Sequence, residues 1–166
     1  MTTQIKKFLL IVIAALFCGA WIRAQSPEQV PYPEGYRRWV RVKSALIGPE
    51  HTTFERYGGL HHIYANDKAM EGYRTGRFPD GAVIVFDLFE TKTKEGLMTE
   101  SRRRFIDVMH KDSKRFAETG GWGFEEFRGD GRKDKDRAIG PNAKASCFDC
   151  HTSQKEKDFV FSSFNE

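Results

Sequence analysis

Cysteine is scarce in this sequence. The 166 residues include only three cysteines, and one of them, Cys18, lies in an apolar run close to the amino terminus. The other two, Cys147 and Cys150, stand near the carboxyl terminus with two residues between them. So few cysteines at so short a spacing cannot build the disulfide framework of a small secreted domain.

An excess of charge of one sign is also absent. The formal net charge is +4, and the first 24 residues contribute three basic side chains and no acidic ones. A chain that begins after residue 24 therefore carries a formal charge of +1. This balance argues against a nucleic-acid partner, because proteins that bind nucleic acids concentrate basic residues on one surface.

Long hydrophobic runs are missing as well. The apolar run near the amino terminus spans residues 8–20, which is short of the roughly 20 residues of a transmembrane helix. Lys6 and Lys7 precede this run and a small residue, Ala24, follows it, which is the order of a secretory signal peptide. We expect a signal peptide over residues 1–24 with cleavage near Ala24, export to the periplasm, and one domain over residues 25–166 without a membrane span.

Cys147 and Cys150 are followed directly by His151, which completes the pattern Cys-x-x-Cys-His. This pattern is typical of the covalent attachment of a c-type haem. The two thiols add to the two vinyl groups of the haem, and the adjacent histidine presents a ring nitrogen to the iron. The sequence therefore predicts one haem c, held by Cys147 and Cys150, with His151 as the iron ligand on one side.

Two other kinds of site use closely spaced cysteines. A thioredoxin-like redox pair begins a helix after a strand, near the start of its domain, whereas this pair lies near the end of the chain. A structural zinc site needs four ligands, and the chain after residue 24 has no cysteine beyond the pair. We therefore favour haem attachment over redox exchange and zinc binding.

The second axial ligand of such a haem is not evident. Small electron-transfer cytochromes carry the motif near their start and a methionine far downstream, but only 15 residues follow His151 and none is methionine. We expect an open or apolar face, where a five-coordinate iron binds a diatomic gas or a small substrate. Upstream side chains that could still reach the iron are Met70, Met98, Met109, His51, His61, His62 and His110.

The pattern of apolar residues and turn signals predicts an α+β domain that is mainly β. The strongest strand signal covers residues 82–90, where alternation puts Ile84, Phe86 and Leu88 on one face. Asn66 is a favourable N-cap for a helix over residues 67–74 that ends near Gly76. Other strands are predicted at residues 41–46, 58–64 and 120–127, and residues 102–110 could be strand or helix.

Two charged or polar stretches complete this interpretation. Residues 128–137 are interpreted as a solvated loop, and residues 141–145 lead into a short helix that carries the haem motif. The whole is an antiparallel β-sheet with a few short helices and the haem-binding motif on a C-terminal helix. No heptad repeat is visible, so a four-helix bundle does not fit.

With its haem motif at the end of a strand-rich domain, the chain resembles the cytochrome P-460 family, and within it the branch called cytochrome c-prime-beta. The resemblance runs in order through most of the chain after the signal peptide. The segments that carry it, besides the haem motif, are residues 36–40 (YRRWV), 63–66 (IYAN), 76–81 (GRFPDG), 111–116 (KDSKRF), 121–124 (GWGF) and 158–161 (DFVF).

The resemblance points to one position in particular. In the hydroxylamine-oxidising members, a lysine on the strand after the Asp-Gly turn is joined covalently to the haem edge. The corresponding residue here is Phe86, which has no nucleophilic atom to form that link. A bulky ring over the iron excludes water and offers no hydrogen bond to bound dioxygen, so it favours nitric oxide and carbon monoxide.

The resemblance also implies other features of the pocket and the assembly. Tyr57 is a candidate for a second aromatic cap. By strand alternation one of His61 and His62 should face inward, and His61 falls where the family's oxidases carry a basic pocket residue. A homodimer is implied as well, and a redox partner protein would be compatible with it. The expected role is the binding of nitric oxide or carbon monoxide for scavenging, transport or sensing.

Two alternatives stay open at this point. One is an electron-transfer cytochrome with a six-coordinate haem. The other is an enzyme that oxidises hydroxylamine or nitric oxide, or that reduces peroxide.

Overall fold

The strands form one five-stranded antiparallel sheet in which neighbours in the chain are neighbours in the sheet. The computed structural model describes residues 29–165, so the predicted signal peptide lies outside the described residues. The predicted fold, mainly β with an antiparallel sheet and a few short helices, is confirmed. The strands are β1 (Val40–Ile47), β2 (Gly59–Ala65), β3 (Val83–Lys94), β4 (Leu97–Lys111) and β5 (Trp122–Arg128).

β3 and β4 form a long hairpin that extends past the last residues paired with β2 and β5. The turn between them consists of Glu95 and Gly96, whose φ angles are 51° and 81°. Two residues with positive φ match the right-handed twist of the strands they join. The strand predicted to end at residue 90 therefore continues to Lys94, and residues 102–110, which could have been helix, belong to β4.

The helices are short, and the longest is the one predicted after Asn66. The Asn66 side chain accepts a hydrogen bond from the backbone N–H of Ala69, and Gly76 ends the helix in the left-handed conformation. The α-helices are α1 (Phe54–Tyr57), α2 (Asp67–Thr75) and α3 (Asp149–His151). The 3₁₀ turns are Tyr36–Arg38, Ala117–Thr119, Asp134–Asp136, Gly140–Asn142 and Thr152–Lys157, and a π-helical turn, Lys144–Phe148, runs directly into α3.

Both faces of the sheet are covered. The face that carries Ile84, Phe86 and Leu88, called here the front face, packs at one end against α2 and the C-terminal segment. The opposite face, called the back face, packs against the arm that precedes β1, including Val30 and Tyr36. The haem motif, which belongs to the C-terminal segment, packs against the cluster that contains Ile84. Because strand alternation puts Phe86 on the same face as Ile84, the motif and Phe86 lie on one side of the sheet.

The back face contains a buried charge cluster. Asp87 is fully buried, accepts a hydrogen bond of 2.7 Å from the Tyr36 hydroxyl, and pairs with Arg37 and Arg103. Three donors around one carboxylate offset the cost of removing it from water.

The interpretation of residues 128–137 as a solvated loop is wrong at its last residue, Arg137. Residues 128–137 do form an exposed connection for most of their length, but the Arg137 side chain is only 10% exposed. It donates to the buried Glu125 carboxylate at 3.0 Å and to the Val30 carbonyl at 2.7 Å. A charged side chain at the end of a loop is buried here because a strand carboxylate lies within its reach.

Among residues 29–165 no helix is long and apolar enough to cross a membrane.

Candidate haem-binding site

The Cys-x-x-Cys-His motif lies on a continuous helical stretch. Cys147 belongs to the π-helical turn and is half-buried, whereas Cys150 in α3 is exposed. Their sulfur atoms are not joined in a disulfide. Because residues three and four apart lie on one side of a helix, Cys147 shares its side with both Cys150 and His151. One planar group could therefore meet all three side chains.

The His151 ring is oriented by a hydrogen bond to the backbone. Its Nδ1 lies 2.7 Å from the carbonyl oxygen of Phe159. A carbonyl oxygen can only accept, so Nδ1 must carry the proton, and Nε2 is left with its lone pair. The rings of Phe124 and Phe161 lie 5.0 Å and 4.9 Å from the imidazole and restrict its rotation. This is the tautomer that a metal-binding histidine needs.

The electrostatic surroundings keep this imidazole neutral. Burial lowers the pKa of His151 below its ordinary value, and the hydrogen bond to Phe159 opposes that shift only in part. Neutral imidazole is the form that binds metals.

The Cys147 thiol is held in its protonated form. Burial, followed by the nearby Asp107 carboxylate, raises the pKa of Cys147 to about 12. Redox-active Cys-x-x-Cys pairs work through a thiolate whose pKa is lowered. The surroundings of Cys147 are therefore the opposite of those that a thioredoxin-like site requires.

Three side chains that the sequence singled out come together on the front face. The Phe86 ring stacks on His61 with 4.6 Å between ring centroids, and the Tyr57 ring meets Phe86 edge-on at 5.8 Å. Phe86 and Tyr57 are half-buried and His61 is buried. We call Phe86, Tyr57 and His61 the aromatic group. Asp107 lies close enough to both the group and the motif to raise the pKa values of Tyr57 and Cys147.

A family model described as Cytochrome P460 matches residues 33–162 of the chain. The chain belongs to the cytochrome P460 family. The match takes in every strand and helix described above, as well as the Cys-x-x-Cys-His motif. No curated protein matches the chain.

A haem is the cofactor that membership of the cytochrome P460 family implies, and the residues present fit it. The observation that decides this fit is the His151 tautomer. Nδ1 is used by the hydrogen bond to the Phe159 carbonyl, so Nε2 on the other side of the ring is free to bind iron. Cys147 and Cys150 stand at the spacing that two vinyl groups require. In the described part of the chain, no three histidine, cysteine, aspartate or glutamate side chains gather closely enough to hold a lone metal ion. Zinc therefore has no ligand set among these residues.

The sequence interpretation of this cytochrome P460-family chain missed a set of ionisable side chains beside Phe86. Strand register aligns Phe86 of β3 with Asp107 of β4 and Glu126 of β5, all on the front face. The Glu126 carboxylate accepts from Arg56 of α1 at 2.6 Å. A cavity of about 390 Å³ opens next to these side chains and is lined by Arg56, Glu126, Arg128, Ala138, Ile139 and Ser146.

The surface around Phe86 therefore contains carboxyl groups as well as aromatic rings. Burial, and then repulsion from Glu126, raises the pKa of Asp107 to about 8, so most of this carboxyl group is protonated at neutral pH. The signal for Asp107 was present in the sequence, since it interrupts the apolar run Phe105–Met109. Its meaning depended on whether that run was helix or strand, which the pattern left open.

The two neighbouring histidines lie on opposite faces of the sheet, as strand alternation requires, and both are buried. His61 faces Phe86, and burial lowers its pKa to about 4. His62 points to the back face. There its Nδ1 lies 2.7 Å from the Ser44 hydroxyl and its Nε2 lies 2.7 Å from the Glu100 carboxylate. His62 is buried on its own face because Glu100 of the extended β3–β4 hairpin reaches its ring.

The other candidate iron ligands fall in different places. Met70 and Met109 pack in the core between the sheet, α2 and the C-terminal segment. Met98 is exposed on the hairpin, and the His51 ring bonds to Thr53 on the surface. His110 is aligned with Val83 and so belongs to the back face. His61 alone of the seven lies in the aromatic group.

Proposed function

We propose that this chain is an exported, periplasmic c-type cytochrome with one covalently attached haem and a five-coordinate iron that binds nitric oxide and carbon monoxide. Cys147 and Cys150 form the thioethers, and His151 Nε2 is the single protein ligand to the iron. The role would be nitric oxide scavenging, transport or sensing. The observation that carries the proposal is the pairing of a fixed, neutral His151 with an aromatic group built around Phe86.

The bound haem would supply an iron with one open position for a neutral diatomic ligand. His151 holds the iron on one side and stays neutral because burial opposes its protonation. Phe86 offers only carbon and hydrogen to a ligand, so it excludes water and donates no hydrogen bond to a bound dioxygen. Such a surface favours ligands that need no polar stabilisation.

The ionisable groups around Phe86 are mostly held in their uncharged forms. Burial raises the pKa of Tyr57 and lowers that of His61 to about 4. Asp107, with a pKa of about 8, is mainly protonated at pH 7. Arg56 and Glu126 neutralise each other at 2.6 Å. A pocket with so little net charge supports the binding of a neutral gas rather than an ion.

Phe86 also bears on the hydroxylamine-oxidising alternative. Its side chain has no nitrogen or oxygen that could join the haem edge, so the crosslink found in the lysine-containing oxidases cannot form at this position. We expect the ferrous protein to lack the red-shifted band of a crosslinked haem.

Visible absorption of the purified ferrous protein, with and without nitric oxide, tests the proposal. We expect a high-spin five-coordinate spectrum that converts to a nitrosyl form, and the same protein should bind carbon monoxide. A low-spin ferrous spectrum that nitric oxide does not change would refute gas binding at this iron.

One observation favours a second candidate, electron transfer through a six-coordinate haem. His61 Nδ1 is buried and has no hydrogen-bond partner among residues 29–165, and its ring stacks on Phe86. A neutral imidazole with an unused nitrogen in this position could serve as a second iron ligand. In that case His61→Ala should convert a low-spin spectrum to a high-spin one, whereas under our first proposal the wild type is already high-spin.

The assembly is proposed on the family resemblance. We propose a homodimer, and a redox partner protein that returns the iron to the ferrous state. Analytical ultracentrifugation of the haem-loaded protein would test the first of these, and a monomer at micromolar concentration would contradict it.

A further inference from the structure

The hydrogen bond that orients His151 depends on an unusual turn. The chain leaves the last helical segment through Asp158 and Phe159, whose φ angles are 51° and 66°. Two consecutive non-glycine residues in the left-handed region are disfavoured, because Cβ crowds the following carbonyl. Aspartate tolerates this conformation better than phenylalanine does. Contacts elsewhere in the protein must therefore hold Phe159, and with it the carbonyl that faces His151.

Those contacts converge on Asp158 from three directions. Its carboxylate accepts from Lys111 Nζ at 2.7 Å through one oxygen and from the backbone N–H of Phe78 at 2.9 Å through the other. Its main-chain carbonyl accepts from Trp122 Nε1 at 2.8 Å. Asp158 is 6% exposed, and Trp122 is fully buried. The turn is thus tied to β4, to β5 and to the segment before β3.

The Lys111 side chain is itself held in place by further contacts. Its ammonium group also donates to the Gly120 carbonyl at 3.0 Å and lies 4.9 Å from the centre of the Trp122 ring. The residue is 8% exposed. A buried ammonium with a carboxylate, a carbonyl and an aromatic ring around it has little freedom to move. It therefore fixes the carboxylate of Asp158 rather than following it.

Gly120 contributes through its missing side chain. A Cβ at this position would lie 2.3 Å from the Phe159 ring, so the ring packs where that atom would be. The same ring also packs against Phe148 of the haem motif, at 5.2 Å between centroids. Phe159 is therefore held at its side chain as well as through its neighbour.

From these contacts we propose that Asp158 and Lys111 are positioning residues that set the electron-donating strength of His151, by holding the Phe159 carbonyl against its Nδ1–H. The inference rests on the proposed function, because it requires His151 Nε2 to bind the iron. A hydrogen bond from Nδ1–H to an acceptor makes the imidazole a stronger donor and stabilises the ferric state. Loosening the turn should weaken that donation without altering the motif itself.

Asp158→Asn is the sharpest test, because it changes one atom type in a residue that still tolerates the left-handed conformation. The carboxylate meets two donors, and an amide would turn a donor of its own toward one of them. Asp158→Gly is the second variant, since glycine accepts the backbone conformation but removes both contacts. Glu90→Gln is the matched control, since it removes a carboxylate from an exposed ion pair with Arg102 on the hairpin.

The measurements are the iron–histidine stretching band of the ferrous, ligand-free haem protein in resonance Raman spectra and its midpoint potential. We expect both Asp158 variants to shift the band to lower wavenumber and the potential to more positive values, and the control to match the wild type. Folded, haem-loaded Asp158 variants with both values unchanged would overturn the inference. If neither Asp158 variant accumulates with haem, Lys111→Gln supplies the same comparison from the other partner, with the same two outcomes.

Failure of the proposed function would look different. A wild-type ferrous protein that is low-spin, without an iron–histidine band of a five-coordinate haem, would contradict five-coordination itself. A normal wild-type band that ignores the state of Asp158 would contradict only the role of this turn.

Discussion

Replacing Asp107 with asparagine should stabilise the protein, and the gain should grow as the pH rises from 5 to 7. The carboxyl group lies beside Glu126 in the sheet register, and burial is the main reason that its pKa rises from 3.8 to about 8. Ionising it in the folded state is therefore costly. Asparagine has the same shape and does not ionise.

The sign and size of this pH dependence follow from the two pKa values. The folded state holds the proton more tightly than the unfolded chain, so the stability due to Asp107 is complete below pH 3.8 and is lost as the pH rises through about 8. Between these limits each pH unit removes about 1.4 kcal/mol. From pH 5 to pH 7, the advantage of Asp107→Asn over wild type should therefore increase by about 3 kcal/mol.

Urea unfolding of the haem-loaded wild type and variant at both pH values measures this difference. Asp80→Asn is a control of opposite character, because the Ser113 backbone N–H and hydroxyl each donate to Asp80 at 2.8 Å and lower its pKa. Its stabilising effect is fully present above the unfolded pKa and is lost only on acidification, so the control should destabilise the protein equally at pH 5 and 7. An Asp107→Asn gain that is equal at both pH values, or a loss, would refute the reasoning.

Three further predictions concern the pocket, the attachment and the fold. Phe86→Ala should open the space beside the iron and raise the rate of carbon monoxide association about tenfold, equivalent to about 1.4 kcal/mol in the barrier. Flash photolysis would measure this rate. An unchanged rate would mean that Phe86 does not cover the binding face. Cys150→Ser should leave the haem on one thioether, visible as a shifted pyridine haemochrome band, while an unshifted band would contradict attachment at Cys150. Asn66→Ala removes the cap of α2 together with the side-chain bonds to Gly81 and Val83. It should cost at least about 1 kcal/mol in urea unfolding, and an unchanged stability would argue against the capping bond.

Elements whose signals are local were predictable. The cap at Asn66, the left-handed end at Gly76 and the apolar centre of β3 each depend on residues within a few positions of one another. The same holds for the haem motif, because its chemistry requires only the spacing of Cys147, Cys150 and His151. Alternation along β3 also placed Phe86 on the face that the motif covers, since the side-chain period of a strand is two.

Elements whose meaning depends on a partner strand were not predictable. The run Phe105–Met109 could have been helix or strand, and only its pairing with β3 and β5 aligns Asp107 with Phe86 and Glu126. The partner of His62 could not be foreseen either, because Glu100 reaches its ring only through the pairing of the long β3–β4 hairpin. Arg137 was interpreted as a loop residue because no local pattern reports a carboxylate twelve residues away.

The sequence by itself identified the residues proposed to attach the haem and the face of β3 that carries Phe86, because both depend on spacings of two to four residues. The tertiary structure alone decided how those residues are tuned. His151 is oriented by the Phe159 carbonyl eight residues further on, and the neighbouring Asp158 is held by Lys111 and Trp122 from two strands. Strand register places the Asp107 carboxyl group beside Phe86. Hydrogen bonds and burial join residues that are distant in the chain, so their effect on a ligand or a pKa exists only once the sheet has formed.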